Sequence, residues 1–362
     1  MATESTPARP RPLPLAALHR RLGAELGTIE DGSEVPLCYR PLGDELRTLA
    51  EGCGLIDRSW IGRLELTGAD RLRLLNALVT CEVKSLVPGE GTYGCFTGPQ
   101  GKILADFAAL AMADRLWLEL PAGREDAVAA HVRKYVLADR VEAMPLAEML
   151  PVTLVGPRAA AVLGEAATAL ERPWAHRRAR VLGSDVEMAR RELLGVPAFT
   201  LWISASLAGE LIEGLLDRGD VAPVGFAALE VARAEAGIPR FGLDFGAENF
   251  PQEAGLEEAA VSYTKGCYLG QEVVARIHYR GQVHRTLRGL AFDALPRRGA
   301  KLLAGGQEAG TVATAVESPA LGPIGIAILK RQGTDPGAEL EIEGGGQATV
   351  RELPPLAAYA ST

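Results

Sequence analysis

The segment KGCYLGQE at residues 265–272 sets one thiol, Cys267, two residues after an amine, Lys265, with Gly266 and Gly270 close by. A cysteine acts as nucleophile or metal ligand in its thiolate form, and an ammonium held against the sulfur favours that form, so Lys265 is a candidate activator of Cys267. The two glycines permit backbone angles closed to other residues and the close approach of a ligand or another chain. A helix beginning near Gly270 or Gln271 would add the positive end of its dipole. The same residues also describe a small buried cysteine in a glycine turn, because free cysteine often behaves as a hydrophobe. No partner histidine or acid follows from the spacing, so the local residues leave both readings open. The next stretch is equally two-sided. Val273 and Ile277 keep a helical spacing, while Ala275, Ile277 and Tyr279 alternate with Arg276, His278 and Arg280 as in a strand.

Other candidates are scattered. Trp60 opens a strand and can either stack on a flat ring or join the core, and Tyr93 has a weaker claim of the same kind. Asp106, in GKILADF, is a carboxylate on a strand after a turn, a place for acid–base work or for a structural bond. Glu230 and Arg233 are three apart in FAALEVARAEAG and share one side of a helix, either as ligand contacts or as a solvated ion pair. Of two basic stretches, RIHYRGQVHRTLR at 276–288 suits an anionic tail or an acidic partner face, and RPWAHRRAR at 172–180 reads as a solvated face.

These residues must be placed by the elements around them. Apolar positions at 15, 18, 22 and 26 predict a helix over 13–27, and DELRTLAEGCG predicts another closed by Gly52 and Gly54. IGRLELTG reads as a strand, Asp70 as a cap, and ADRLRLLNALVT as a helix. Two strands around the turn at 97–102, a strand at RLWLEL and a helix at REDAVAAHVRKYVL complete an α+β layer. A similar order starts again at PVTLVGPRAAAVLGEAATAL and runs through AFTLWIS, without a strict sequence repeat. From 285 onward, short apolar runs separated by glycine and proline predict a small all-β unit. The expected organisation is a lead-in and helix over 1–44, a region over 45–284 divided near 150, and a β-domain over 285–353.

Composition narrows the function classes. The chain has 362 residues, 48% of them hydrophobic, and a net charge of −8, which disfavours binding driven by phosphate neutralisation, so no nucleic-acid partner is expected. Five cysteines with no CxxC argue against a disulfide framework or a protein-built metal site. No apolar run approaches the roughly 18 residues of a membrane span, and the start MATESTPARPRPLPL lacks the apolar core of a secretory signal. A cytoplasmic protein without a membrane partner is expected.

KGCYLGQEVVARIHYRG, preceded by EAGIPRFGLDF and PQEAGLEEAAVSYT, closely resembles the YgfZ-type folate-binding proteins, relatives of the glycine-cleavage T-protein. GLIDRSWIGRLELTGADRLRLLNALVT and GPQGKILADF extend the likeness over roughly residues 45 to 350. The resemblance implies a T-protein-like α+β architecture, two α+β modules with a C-terminal β-barrel, around a cleft for tetrahydrofolate. It implies Cys267 and Lys265 as working residues and Trp60, Asp106, Glu230 and Arg233 as folate contacts. It also implies an accessory role in iron–sulfur cluster assembly or repair, with iron–sulfur assembly or client proteins as partners and indirect support of tRNA modification. An aminomethyltransferase or demethylating enzyme is the alternative, and a scaffold with a vestigial folate pocket a third. Two departures bear on the alternative. Where the wider superfamily carries two adjacent acids this chain has Ala105 and Asp106, and its RRELLGVPAFTLW lacks the Tyr-Thr-Gly-Glu acid segment. Both imply weak or absent aminomethyl transfer.

Overall fold

The computed structural model describes residues 11–281 and 283–354, so the first ten residues of the expected lead-in lie outside the described residues. Helix α1 (Ala16–Arg21) is followed by a hairpin of β1 (Glu25–Thr28) and β2 (Glu34–Cys38). The helix read over 13–27 therefore stops early, because Gly23, at φ +83°, takes a left-handed turn and the chain leaves as a strand. α2 (Leu42–Glu51) and β3 (Gly54–Asp57) come next.

From β4 (Gly62–Thr67) the chain makes α3 (Arg71–Leu78), a meander of β5 (Gly91–Thr97), β6 (Ile103–Ala111) and β7 (Arg115–Leu120), then α4 (Glu125–Tyr135) and β8 (Glu142–Pro145). These five strands form one sheet in the order β5-β6-β7-β4-β8. The same moves recur with β9 (Met149–Val155), α5 (Ala159–Leu163), α6 (Glu165–Thr168), the meander β10 (His176–Val181), β11 (Ser184–Leu193) and β12 (Val196–Ser204), α7 (Ala205–Asp217) and β13 (Ala222–Pro223). The second sheet has the order β10-β11-β12-β9-β3-β13, so β3, which precedes the first sheet in the chain, is inserted between β9 and β13. The duplication is one of topology. Asp70 does not cap α3 through its side chain; its carboxylate accepts from the Arg140 N–H at 2.9 Å instead.

Period-two alternation assigns the faces. In β7, Leu116, Leu118 and Leu120 join a core with α3 and α4, which leaves Trp117 and Glu119 on the opposite face. In β9, Leu150, Val152 and Leu154 pack with Leu211, Ile212 and Leu215 of α7. Each such leucine contributes roughly 1.5–3 kcal/mol by leaving water. The two uncovered sheet faces turn toward each other. Trp117 and Trp202 meet with ring centroids 5.5 Å apart, supported by Leu110, Leu146 and Ala189. Beyond that contact a cleft remains between the sheets.

α8 (Phe226–Glu235) closes one end of the cleft, and α9 (Glu257–Ala260) and α10 (Gln271–Arg280) follow. Residues 271–280 are thus helical, which settles the two-sided pattern. The barrel consists of β14 (Arg285–Phe292), β15 (Lys301–Ala304), β16 (Gln307–Thr311), β17 (Thr314–Ser318), β18 (Gly322–Lys330), β19 (Glu339–Ile342) and β20 (Gln347–Arg351). Six strands close in the ring β14-β20-β19-β15-β16-β18 through the β14–β18 pairing, and β17 is a hairpin on β18. The expected fold class, two α+β modules with a C-terminal β-barrel, is the one the chain adopts. Among the described residues no helix is long and apolar enough to cross a membrane.

Candidate active site

The cleft encloses about 200 Å³ and draws its walls from both sheets, from the turn after β3 and from α8. Pairing of β5 with β6 sets Tyr93 opposite Ala108 and Cys95 opposite Asp106, so alternation aims Asp106 at the cleft. The Tyr93 hydroxyl donates to Asp106 Oδ2 at 2.8 Å, while Oδ1 is buried with no hydrogen-bond partner among the described residues. Burial raises the Asp106 pKa to about 6 against the lowering pull of the Tyr93 hydroxyl and of a backbone hydrogen bond. That value lets one carboxyl both take and give a proton near neutral pH. Ala105 points the other way, fully buried in the core under α3 and α4. The missing second acid is therefore absent from the core side of β6, and its loss leaves the cleft carboxylate in place.

Aromatic rings and a buried ion group flank Asp106. Tyr93 stacks on Trp174 at 6.0 Å with planes 7° apart, and the Arg191 guanidinium lies 4.6 Å from the Trp174 ring. Trp174 sits at φ +64°, a conformation unfavourable for a residue with a Cβ, and its N–H is tied to the Arg190 carbonyl at 2.9 Å. Glu119 accepts charge pairing from Arg58 Nη1 at 3.1 Å and from Arg191 at the same carboxylate oxygen. Two arginines around one glutamate leave this group at net +1, a local pull on anions. Trp60, in the turn between β3 and β4, meets Phe226 edge-on at 5.5 Å and lines the cleft.

On α8, Glu230 and Arg233 also line the cleft, but the guanidinium is fully engaged inside the protein. Nε and Nη2 each donate to one Glu230 oxygen at 2.8 Å, Nη1 to Asp244 at 2.8 Å and the Ile238 carbonyl at 3.1 Å, and Nη2 also to the Thr314 hydroxyl at 2.7 Å. Arg233 is buried and Glu230 partly so, which makes the pair an internal one rather than a solvated one, and Arg233 has no donor left for a ligand carboxylate. It holds Glu230 toward the cleft and ties α8 to β17 of the barrel.

The signature pair separates. Lys265 is buried, and its Nζ donates to the carbonyls of Asn76 and Val79 at 2.8 Å each, at the C-terminal end of α3, and to that of Cys81 just beyond it. Burial draws its pKa down to about 8, partly opposed by Cys81 and Glu82. Its three N–H groups are directed at carbonyls, so the expected activation of Cys267 by Lys265 has no geometry to support it. Cys267 itself is exposed and does not line the cleft. Gly270, at φ +84°, explains the loop's glycines: a Cβ there would lie 2.4 Å from the Gly98 carbonyl oxygen.

The cleft also holds residues that sequence reasoning passed over: Arg58, Glu119, Trp174, Arg191 and Arg240. Glu119 was legible, since the alternation of RLWLEL already puts it opposite three core leucines. RPWAHRRAR is only half a solvated face; Arg177, Arg178 and Arg180 are exposed, whereas Trp174 and His176 are buried. The segment that lacks the Tyr-Thr-Gly-Glu acid supplies Arg191, Leu193 and Leu194 to the cleft instead. Among the described residues no group of three or more His, Cys, Asp or Glu is arranged to hold a metal ion.

Two family models match the chain: the GCVT N-terminal domain over residues 15–265 and the glycine cleavage T-protein C-terminal barrel domain over 285–356. The aminomethyltransferase of Saccharopolyspora erythraea is 27% identical over 97% of this chain and 98% of its own length. That of Symbiobacterium thermophilum is 29% identical over 91% and 92%. A crystal structure of the glycine cleavage system aminomethyltransferase T from Bartonella henselae superposes with a TM-score of 0.85 at 26% identity, covering 97% of this chain and 99% of that one. These full-length likenesses overturn the iron–sulfur accessory role implied by KGCYLGQE and favour the aminomethyltransferase alternative. Matched by both models across its modules and its barrel, the chain belongs to the glycine cleavage T-protein family.

Proposed function

We propose that the protein is a folate-dependent aminomethyltransferase that moves a one-carbon unit from an aminomethyl donor to a reduced folate, with Asp106 as its acid–base residue. One observation carries this reading: Asp106 Oδ1 is buried, faces the cleft and has no hydrogen-bond partner among the described residues, so a cleft ligand with an N–H donor would complete it. The lining fits a reduced folate, since flat aromatic side chains (Trp60, Tyr93, Trp174) suit a planar pterin and the net positive Arg58–Glu119–Arg191 group suits an anionic end. When bound, tetrahydrofolate supplies the nitrogens that accept the carbon. Asp106 Oδ1 holds or releases the proton at the receiving nitrogen, Tyr93 fixes the other oxygen, and Glu230 offers an acceptor held in place by Arg233. The finer placement, in the YgfZ-type branch of the family, rests chiefly on KGCYLGQE, whose Cys267 lies outside the cleft.

The test is anaerobic calorimetric titration of the full chain with tetrahydrofolate, followed by an assay for methylene-tetrahydrofolate and ammonia from an aminomethyl donor. Micromolar binding with turnover that Asp106→Asn abolishes is the expected result. Binding without turnover would overturn the transferase reading, and no binding by folded protein would remove folate altogether.

A further inference from the structure

Outside the cleft, behind the turn that carries Arg58, Trp60 and Ile61, lies a chain of buried polar side chains that the chemistry above does not use. His19 of α1 is fully buried, with Nε2 2.7 Å from Asp57 Oδ2 and Nδ1 2.6 Å from the Tyr39 hydroxyl. Asp57, the last residue of β3, accepts the Ser59 N–H at Oδ1 at 2.7 Å and the Ser59 hydroxyl at Oδ2 at 3.0 Å. One proton arrangement satisfies every group: Tyr39 O–H donates to Nδ1, Nε2–H donates to Asp57, and both Ser59 donors close on the same carboxylate. Burying His19, Asp57 and Ser59 beside a half-buried Tyr39 is unfavourable unless their bonds are made, so the set holds one geometry or none. Ser59 reaches Asp57 and not His19, which excludes a histidine-activated hydroxyl.

The bonds converge on residues 58–61. Arg58 N–H is tied to the Pro151 carbonyl and Ile61 N–H to the Arg58 carbonyl, at 3.0 Å each, while Asp57 grips Ser59 from behind. The three side chains left facing forward, those of Arg58, Trp60 and Ile61, line the cleft. We infer that His19 and Asp57 are positioning residues: His19 orients the Asp57 carboxylate, the carboxylate fixes the turn, and the turn delivers Arg58 to Glu119 and the Trp60 ring to the ligand. The N-terminal segment, which sequence treats as a lead-in, is by this inference part of the site's support. Only the affinity arm of the test rests on the folate reading.

The experiment is fluorine NMR of the full chain labelled with 5-fluorotryptophan, the Trp60 resonance being assigned with Trp60→Phe. In His19→Leu that still melts cooperatively, the Trp60 signal is expected to move or broaden while those of Trp117, Trp174 and Trp202 keep their positions. His19→Gln, which retains a donor toward Asp57 and an acceptor toward Tyr39, is expected to restore it. Tetrahydrofolate affinity should fall about tenfold in His19→Leu and in Trp60→Ala, with no further loss in the double variant. An unmoved Trp60 signal, or equal shifts of all four tryptophans, overturns the inference. If His19→Leu does not fold, Tyr39→Phe and Asp57→Asn carry the same readout. A wild-type protein that binds no folate would sink the proposed function, yet the fluorine spectrum would still decide the positioning role.

Discussion

The cleft and the 265–272 loop are two regions with opposite relations to the sequence. The loop is contiguous, rich in chemically suggestive residues, and the first thing a reader notices. Folding pulls it apart: Lys265 goes inward to the carbonyls that end α3, Cys267 stays in solvent, and Gly270 lets the loop lie against the turn at 97–102. The cleft is assembled from segments as far apart as those of Trp60 and Phe241, yet it holds a buried carboxyl with an open acceptor beside stacked aromatics. Reactive residue types near one another in sequence need not converge. Convergence is set by which face of each strand or helix a residue occupies.

The sharpest challenge to this contrast is Asp106→Asn, which should lower turnover by roughly 10²–10⁴-fold while preserving the fold. If turnover survives, the cleft is not where the chemistry occurs. Next in size, Lys265→Met should destabilise by about 2–4 kcal/mol in urea titration, because three carbonyls at and just beyond the end of α3 lose their donor. An unchanged midpoint would show that the lysine is not structural.

A subtler measure is the pH dependence of stability. Asp106 holds its proton more tightly folded, at about 6, than unfolded, so its ionisation costs the native state above that value. The cost fades as pH falls from 6 toward the unfolded value of roughly 4. Asp106→Asn should accordingly gain roughly 1–3 kcal/mol at pH 7.5 and lose that advantage near pH 4. A gain that does not vary with pH would contradict the burial of the charge. The smallest expected effect is that of Cys267→Ala: stability within about 0.5 kcal/mol and unchanged folate turnover, as befits an exposed side chain outside the cleft. Loss of turnover in that folded variant would return the loop to the mechanism.

Much of the scaffold was legible because it follows from local periodicity. The alternation of RLWLEL and GKILADF assigns faces, the turn signals around 97–102 mark a hairpin, and the short runs after 285 announce a small all-β unit. Where local signals misled, a longer-range contact had prevailed. The N-terminal helix ended at a glycine that feeds a hairpin, Asp70 bonded the backbone of the loop before β8 instead of its own helix, and Trp174 left a basic stretch for the cleft wall. The likeness carried by KGCYLGQE pointed to the right fold and, through the accessory role, to a function that the full-length relatives overturn.

The sequence by itself determined most of the elements and their faces, since these depend on periodicities of two or 3.6 residues and on glycine and proline placement, and its motifs carried the likeness that implied the two-module and barrel plan. It also placed Asp106 and Ala105 on opposite sides of one strand, a distinction that follows from alternation alone. Only the tertiary structure decided that the 106 side faces a cleft, that Arg233 is engaged on all its donors, that Lys265 serves a helix end, and that His19 stands behind Trp60. Each of those depends on which faces meet across the two sheets, a consequence of packing between residues tens to hundreds of positions apart, which local spacing does not encode.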